Sequence, residues 1–98
     1  MQVEFDDAAL EDLDVNAKAG FDRPQGVVRG FRKVMQAIRA AADERDLYAL
    51  KGLRFEKLKG NRLGQCSLRL NDQWRLIVEI RGTAPLKIMG VIEIVDYH

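Results

Sequence analysis

Apolar positions return along this chain with two different periods, and the change falls near residue 50. Val27, Val28, Phe31, Val34, Met35, Ile38 and Ala42 recur at steps of three and four, while Arg29, Arg32, Lys33, Gln36 and Arg39 fill the other side. That spacing predicts an amphipathic helix over roughly 24–42, with Pro24 suited to its first turn. Ahead of it, "QVEF" reads as a short strand and "DDAALEDLDVNA" as a first helix with acids in its opening turn, closed by "GFDRPQG". After "DERDLYALKG" the period becomes two. Residues 53–58, 65–70, 74–80 and 86–95 are strand-like, separated by "KGNRLG", "NDQ" and "RGTAP". The predicted order is β-α-α-β-β-β-β: an α+β fold with two N-terminal helices packed on one face of a twisted, mostly antiparallel sheet.

Alternation assigns faces. Cys66, Leu68 and Leu70 share one side of their strand, and Ser67 and Arg69 point away. In the next strand Trp74, Leu76, Val78 and Ile80 fall together, with Arg75, Ile77 and Glu79 opposite. If "LNDQW" closes a hairpin with both apolar sets toward the helices, Arg69 and Arg75 emerge together on the partly open face. Two guanidiniums fixed on strands can grip a phosphate in bidentate fashion; the plainer alternative is that each pairs with a nearby carboxylate.

Composition narrows the class. Of 98 residues, 47% are hydrophobic and 32% charged, the balance of one globular domain rather than a disordered chain. No apolar run approaches the ~20 residues that span a bilayer, and the acidic start is unlike a signal peptide, so the expectation is a cytoplasmic protein without membrane association. One cysteine, Cys66, forms no internal disulfide and sits on an apolar face, where it reads as packing. One cysteine and one histidine do not furnish a zinc site, and neither a metal nor another cofactor is expected. "KGNRLG" lacks the spacing of a phosphate-binding loop.

The net charge of +1 hides a division. Residues 1–22 hold seven acids and one base; residues 23–98 hold fifteen bases and eight acids. The excess is densest over 51–75, where Lys51, Arg54, Lys57, Lys59, Arg62, Arg69 and Arg75 face only Glu56 and Asp72. Such a patch holds a polyanion or an acidic protein, or is a solvated surface balanced by the acidic N-terminal segment. The chain closes on "DYH", and His98 is its only histidine. An imidazole titrates near pH ~6.5 and serves as acid or base, whereas terminal residues ordinarily fray.

Taken together, "LRFEKLKGNRLGQCSLRLNDQWRLIVEI" and the closing "VIEIVDYH" resemble the HigB branch of the RelE/ParE toxin superfamily, the toxins of bacterial type II toxin–antitoxin pairs. The likeness runs from about residue 45 to the end and includes the glycine turn, the Ser-x-Arg strand, the Asn-x-Gln-Trp-Arg hairpin and the terminal Asp-Tyr-His. It implies one RelE-like domain over 1–98 that cuts messenger RNA on the ribosome and is silenced by a HigA-like helix-turn-helix antitoxin. Operator DNA would be met only through that antitoxin. By the same resemblance Arg75 contacts the scissile phosphate, and Asp96, Tyr97 and His98 form the catalytic tripeptide. Glu56 stands where a studied HigB carries histidine, which leaves the acid and base roles of Glu56 and His98 open. Lys57, Lys59, Arg62 and Arg69 complete the expected RNA-binding set. Two other readings stay in view: a gyrase poison of the ParE kind without nuclease activity, since fold alone does not choose between them, and a pure binding module for an acidic partner.

Overall fold

The computed structural model describes residues 1–20 and 22–96; Tyr97 and His98, on which two of the expected catalytic roles fall, lie outside the described residues. β1 (Gln2–Phe5) leads into α1 (Ala8–Val15), whose start is capped by Asp7 accepting from the Ala9 amide at 2.8 Å. α2 (Gln25–Ala40) carries the predicted stripe, and Val27, Phe31, Val34, Met35 and Ile38 are all buried. Its polar face is partly structural. Arg32 donates to four carbonyls around the end of α1 (Leu13, Asn16, Ala17 and Ala19, 3.1–3.4 Å), supplying partners for groups a helix end leaves bare. Arg39 grips Asp14 through both nitrogens at 2.9 and 2.6 Å.

Two expectations need correction. A third helix, α3 (Glu44–Ala49), follows α2. Asp43 caps it by accepting from Arg45 N–H, and Asp46 reaches back to Ala42 N–H, a reciprocal arrangement that stabilises so short a helix. The strand expected at 53–58 shrinks to β2 (Glu56–Lys57). Residues Lys51–Leu53 form a 3₁₀ turn, and Arg54 ends it in the left-handed region with φ 47°. A chain in that conformation is not extended, so pairing starts only after it, although Leu53 and Phe55 are buried as the alternation required.

β3 (Cys66–Arg69), β4 (Trp74–Arg81) and β5 (Ile88–Asp96) complete a five-stranded sheet in the order β1-β5-β4-β3-β2. Only the β1–β5 pair is parallel. Leu68, Leu76, Val78, Met89 and Val91 meet Leu10, Leu13, the α2 stripe and Leu47 in one core on the helix side. α2 approaches the end of β3 so closely that a Cβ at Gly30 would stand 2.2 Å from the Leu70 carbonyl oxygen, which is why a helix interior accepts glycine there. No helix among the described residues is long and apolar enough to cross a membrane.

β5 departs from strict alternation. Ile77 pairs with Glu93 while Val78 pairs with Val91, so Ile92 is an extra residue. This bulge re-aims the strand: Met89 and Val91 face the core before it, and Ile94 returns to the core after it. Glu93 and Val95 therefore line up with Ile77 and Arg75 on the face away from the helices.

Candidate functional site

The face opposite the helices is organised in rows across the strands. One row runs Arg69, Arg75, Val95 over β3, β4 and β5; the next runs Glu56, Ser67, Ile77, Glu93 over β2 to β5. Arg69 and Arg75 are direct cross-strand partners. The β3–β4 hairpin sets this register: Asn71 Oδ1 accepts from the amides of Gln73 and Trp74, both at 2.9 Å, and closes the turn.

Arg75 is buried, 7% exposed, and its Nη1 donates to the carbonyls of Asn71 (2.8 Å) and Trp74 (3.2 Å). The same turn thus holds both the strand register and the guanidinium. Arg69 is more open and pairs through Nη2 with Asp72, whose side chain is almost fully exposed. That guanidinium holds the Asp72 carboxyl below its usual range. A pair so exposed contributes little and yields readily to a stronger anion. On the other side of the turn, Gln73 Nε2 donates to Asp96 Oδ2 at 3.0 Å, tying the hairpin tip to the end of β5. Asn71 and Gln73 have no charge or periodicity to mark them in the sequence; the signals are the Asn-Asp-Gln turn chemistry between two strands and their place in the Asn-x-Gln-Trp-Arg hairpin.

This face is less open than alternation suggests. Arg62, from the 3₁₀ turn Gly60–Arg62, donates from Nη1 to Gln65 Oε1 (3.0 Å) and Glu93 Oε2 (3.4 Å). Its side chain spans from the β3 side of the sheet to β5, across the row in which Ser67 and Ile77 are only 1% and 2% exposed.

The expected site residues divide accordingly. Arg75, Arg69, Arg62 and Glu56 share one face, and Asp96 ends the strand beside it. Glu56 sits two strands and one row from Arg75, roughly 10–12 Å between backbones at standard sheet spacings. Lys59 is exposed at the head of the Gly60–Arg62 turn. Lys57 lies elsewhere: it pairs with Cys66, a core-facing residue, and lines a cavity on the helix side with Glu44, Tyr48 and Ile80. Neighbours in a strand project oppositely, so Glu56 and Lys57 cannot both serve the Arg75 face. Cys66 is buried, and that burial pushes its thiol up, in keeping with packing.

With this geometry in place, the comparisons are specific. A family model described as the RelE-like toxin of type II toxin–antitoxin system HigB matches residues 4–98. Toxin HigB-1 of Vibrio cholerae is 37% identical over 79 residues, spanning 81% of this chain and 83% of that toxin. Among solved structures, a YoeB/ParE toxin from Agrobacterium tumefaciens aligns over 100% of both chains with a TM-score of 0.63 at 17% identity. A YoeB–YefM complex from Staphylococcus aureus aligns over 100% of this chain and 97% of the other with a TM-score of 0.57 at 23% identity. Those two likenesses establish the fold, and the sequence matches establish kinship: the chain belongs to the HigB-like family of RelE-like toxins of type II toxin–antitoxin systems.

Proposed function

We propose that this chain, acting as one domain over 1–98, is a ribosome-dependent endonuclease of messenger RNA that works in the cytoplasm and is neutralised by a HigA-like helix-turn-helix antitoxin, through which alone it meets operator DNA. The observation that supports this reading is the cross-strand pair Arg69–Arg75, whose row on β5 is continued by Val95, the residue before Asp96. Cleavage requires the 2′-hydroxyl to lose a proton and attack phosphorus, and the 5′-oxygen to gain one as its bond breaks. The products are a 2′,3′-cyclic phosphate and a free 5′-hydroxyl.

Arg75, already oriented by two carbonyls, stabilises the charge that grows on the non-bridging oxygens, and Arg69 turns from Asp72 to assist. His98 and Glu56 divide the proton transfers, Tyr97 stacks on a splayed base, and Asp96 fixes the strand end that carries both aromatic groups. Arg62 and Lys59 serve the flanking phosphates. A chain this small has limited surface for RNA, so ribosomal RNA supplies much of the docking.

The test is a cell-free translation reaction with mapped message ends. Cleavage within translated frames is expected, with a loss of about 10²–10⁴-fold on His98→Ala. Intact message with normal translation would reject the nuclease. Intact message with failed DNA supercoiling would point to gyrase instead. Free RNA cut as fast as translated RNA would remove the dependence on the ribosome.

A further inference from the structure

A groove of about 510 Å³ lies between α2 and residues 49–53 and ends at Arg69 and Leu70 of the β3 end. Its floor and walls are aliphatic or small, including Val34 and Ala37 on α2 and Leu50 and Leu53 opposite, and Leu50 is 49% exposed. Its cations are Lys33, Lys51 and Arg69, and no carboxylate lines it. Among the described residues neither lysine forms an ion pair.

A second observation concerns the strand at its end. β2 covers β3 only at Cys66 and Ser67. Leu70 N–H donates to the Trp74 carbonyl, so in the alternation of an antiparallel pair the N–H and C=O of Arg69 point the other way, toward the edge that β2 leaves bare.

We propose that this groove seats an acidic, extended segment of the antitoxin, an inference that rests on the toxin–antitoxin reading above. Three features select that occupant. An aliphatic floor without an aromatic ring suits short apolar side chains and offers nothing for a nucleobase to stack on. Three cations without a lining acid complement carboxylates. The bare edge at Arg69 accepts main-chain hydrogen bonds from an added strand. Arg69 also belongs to the Arg75 row, so a carboxylate bound to it removes a cation from the RNA face. Neutralisation then needs no direct cover over the tripeptide.

The probe is the product of the reading frame beside this chain's own, titrated calorimetrically against the full toxin. Lys33→Glu and Lys51→Glu should each weaken binding about tenfold or more, while Lys18→Glu, outside the groove, changes it less than twofold. Gly52→Phe is the steric counterpart. Gly52 lines the groove and nothing lies within 4 Å of a Cβ there, so a ring is accommodated without displacing the core and should weaken binding with an unchanged circular dichroism spectrum. Groove variants that bind as the parent does would overturn the proposal and leave the toxin reading standing. Variants that keep the partner but lose ribosome association would make the groove an RNA surface, again overturning it. A parent toxin that ignores the neighbouring protein would remove the partner reading and this inference with it.

Discussion

The two ends of β4 each carry an arginine, and the partners described for them differ in kind. Arg81 is ringed by acids: Nε donates to Glu79 at 2.9 Å, Nη1 to Glu4 at 2.9 Å, and Nη2 to Asp6 at 2.7 Å. Its guanidinium lies over Gly90, where any Cβ would stand 2.3 Å from Cζ, so the side chain ties β1, β5 and β4 together across their shared face. Arg75 is oriented by two main-chain carbonyls, which carry no formal charge, and its cross-strand neighbour Arg69 is countered by one carboxylate out in solvent. Arg81 holds strands together; Arg75, in the function proposed above, is the one aimed at the phosphate. Charge type alone would treat them alike, although the acids around Arg81 and the hairpin carbonyls at Arg75 are different surroundings.

The largest effect should fall at the aimed end. Arg75→Ala is expected to reduce message cleavage by about 10²–10³-fold, the scale seen when a pre-oriented donor to developing charge is removed. Arg81→Ala should leave cleavage by the folded protein near the parent value. Equal losses from the two substitutions, measured at matched folded fraction, would abolish the distinction.

Next comes a change at the aimed end that carries no charge. Gly30→Ala drives a methyl group into the Leu70 carbonyl, and helix and strand must part to admit it. The expected cost is roughly 1–3 kcal/mol by urea titration, with cleavage falling because Arg69 adjoins the displaced residue. Arg81→Ala is expected to cost less, on the order of 1 kcal/mol, because its partners are about half exposed and solvent screens them. That loss should shrink further in 1 M salt, whereas the steric cost at Gly30 should not.

Much of this contrast was legible in the chain, for identifiable reasons. The Arg69–Arg75 pairing followed from alternation on two strands joined by a turn of fixed length, where register has little freedom. The same rule places the adjacent residues Glu56 and Lys57 on opposite sides, although the expected site included both. Three features had no local signal. "LRFEKL" alternates like a strand, and only the backbone at Arg54 shows that half of it is a turn. Ile92 is as apolar as its neighbours, so the bulge leaves the pattern of β5 intact while changing which residues reach the Arg75 face. The Arg81 clamp joins residues 75 and 77 positions apart, a contact created by the sheet order and invisible to any window.

A smaller effect is expected where the aimed end meets its counter-ion. Asp72→Asn removes the charge paired with Arg69 and should strengthen RNA engagement by about 1.5–5-fold, the range of one exposed ion pair. Thermal stability should stay close to that of the parent, because the Asp72 side chain is almost fully exposed. A weaker-binding variant would mean that Asp72 orients Arg69 rather than competing for it.

The smallest effect lies in acid and tests both ends at once. The Arg81 guanidinium holds the Asp6 carboxyl below its ordinary 3.8, as Arg69 does for Asp72, while Arg45 draws the α3 cap Asp43 down to about 2. For each group the folded state binds its proton less readily than the unfolded chain. The associated stability is therefore complete above the unfolded value of 3.8 and drains away as pH falls through the lower folded one. Unfolding curves recorded from pH 5 to pH 2 should slope downward in the parent. Arg81→Ala should flatten that slope by the Asp6 share and Arg69→Ala by the Asp72 share, both leaving the Asp43 contribution in place. A parallel drop in all three proteins would show that neither arginine contributes its carboxylate's share of the acid sensitivity, and that the descent belongs to the α3 cap and the remaining acids.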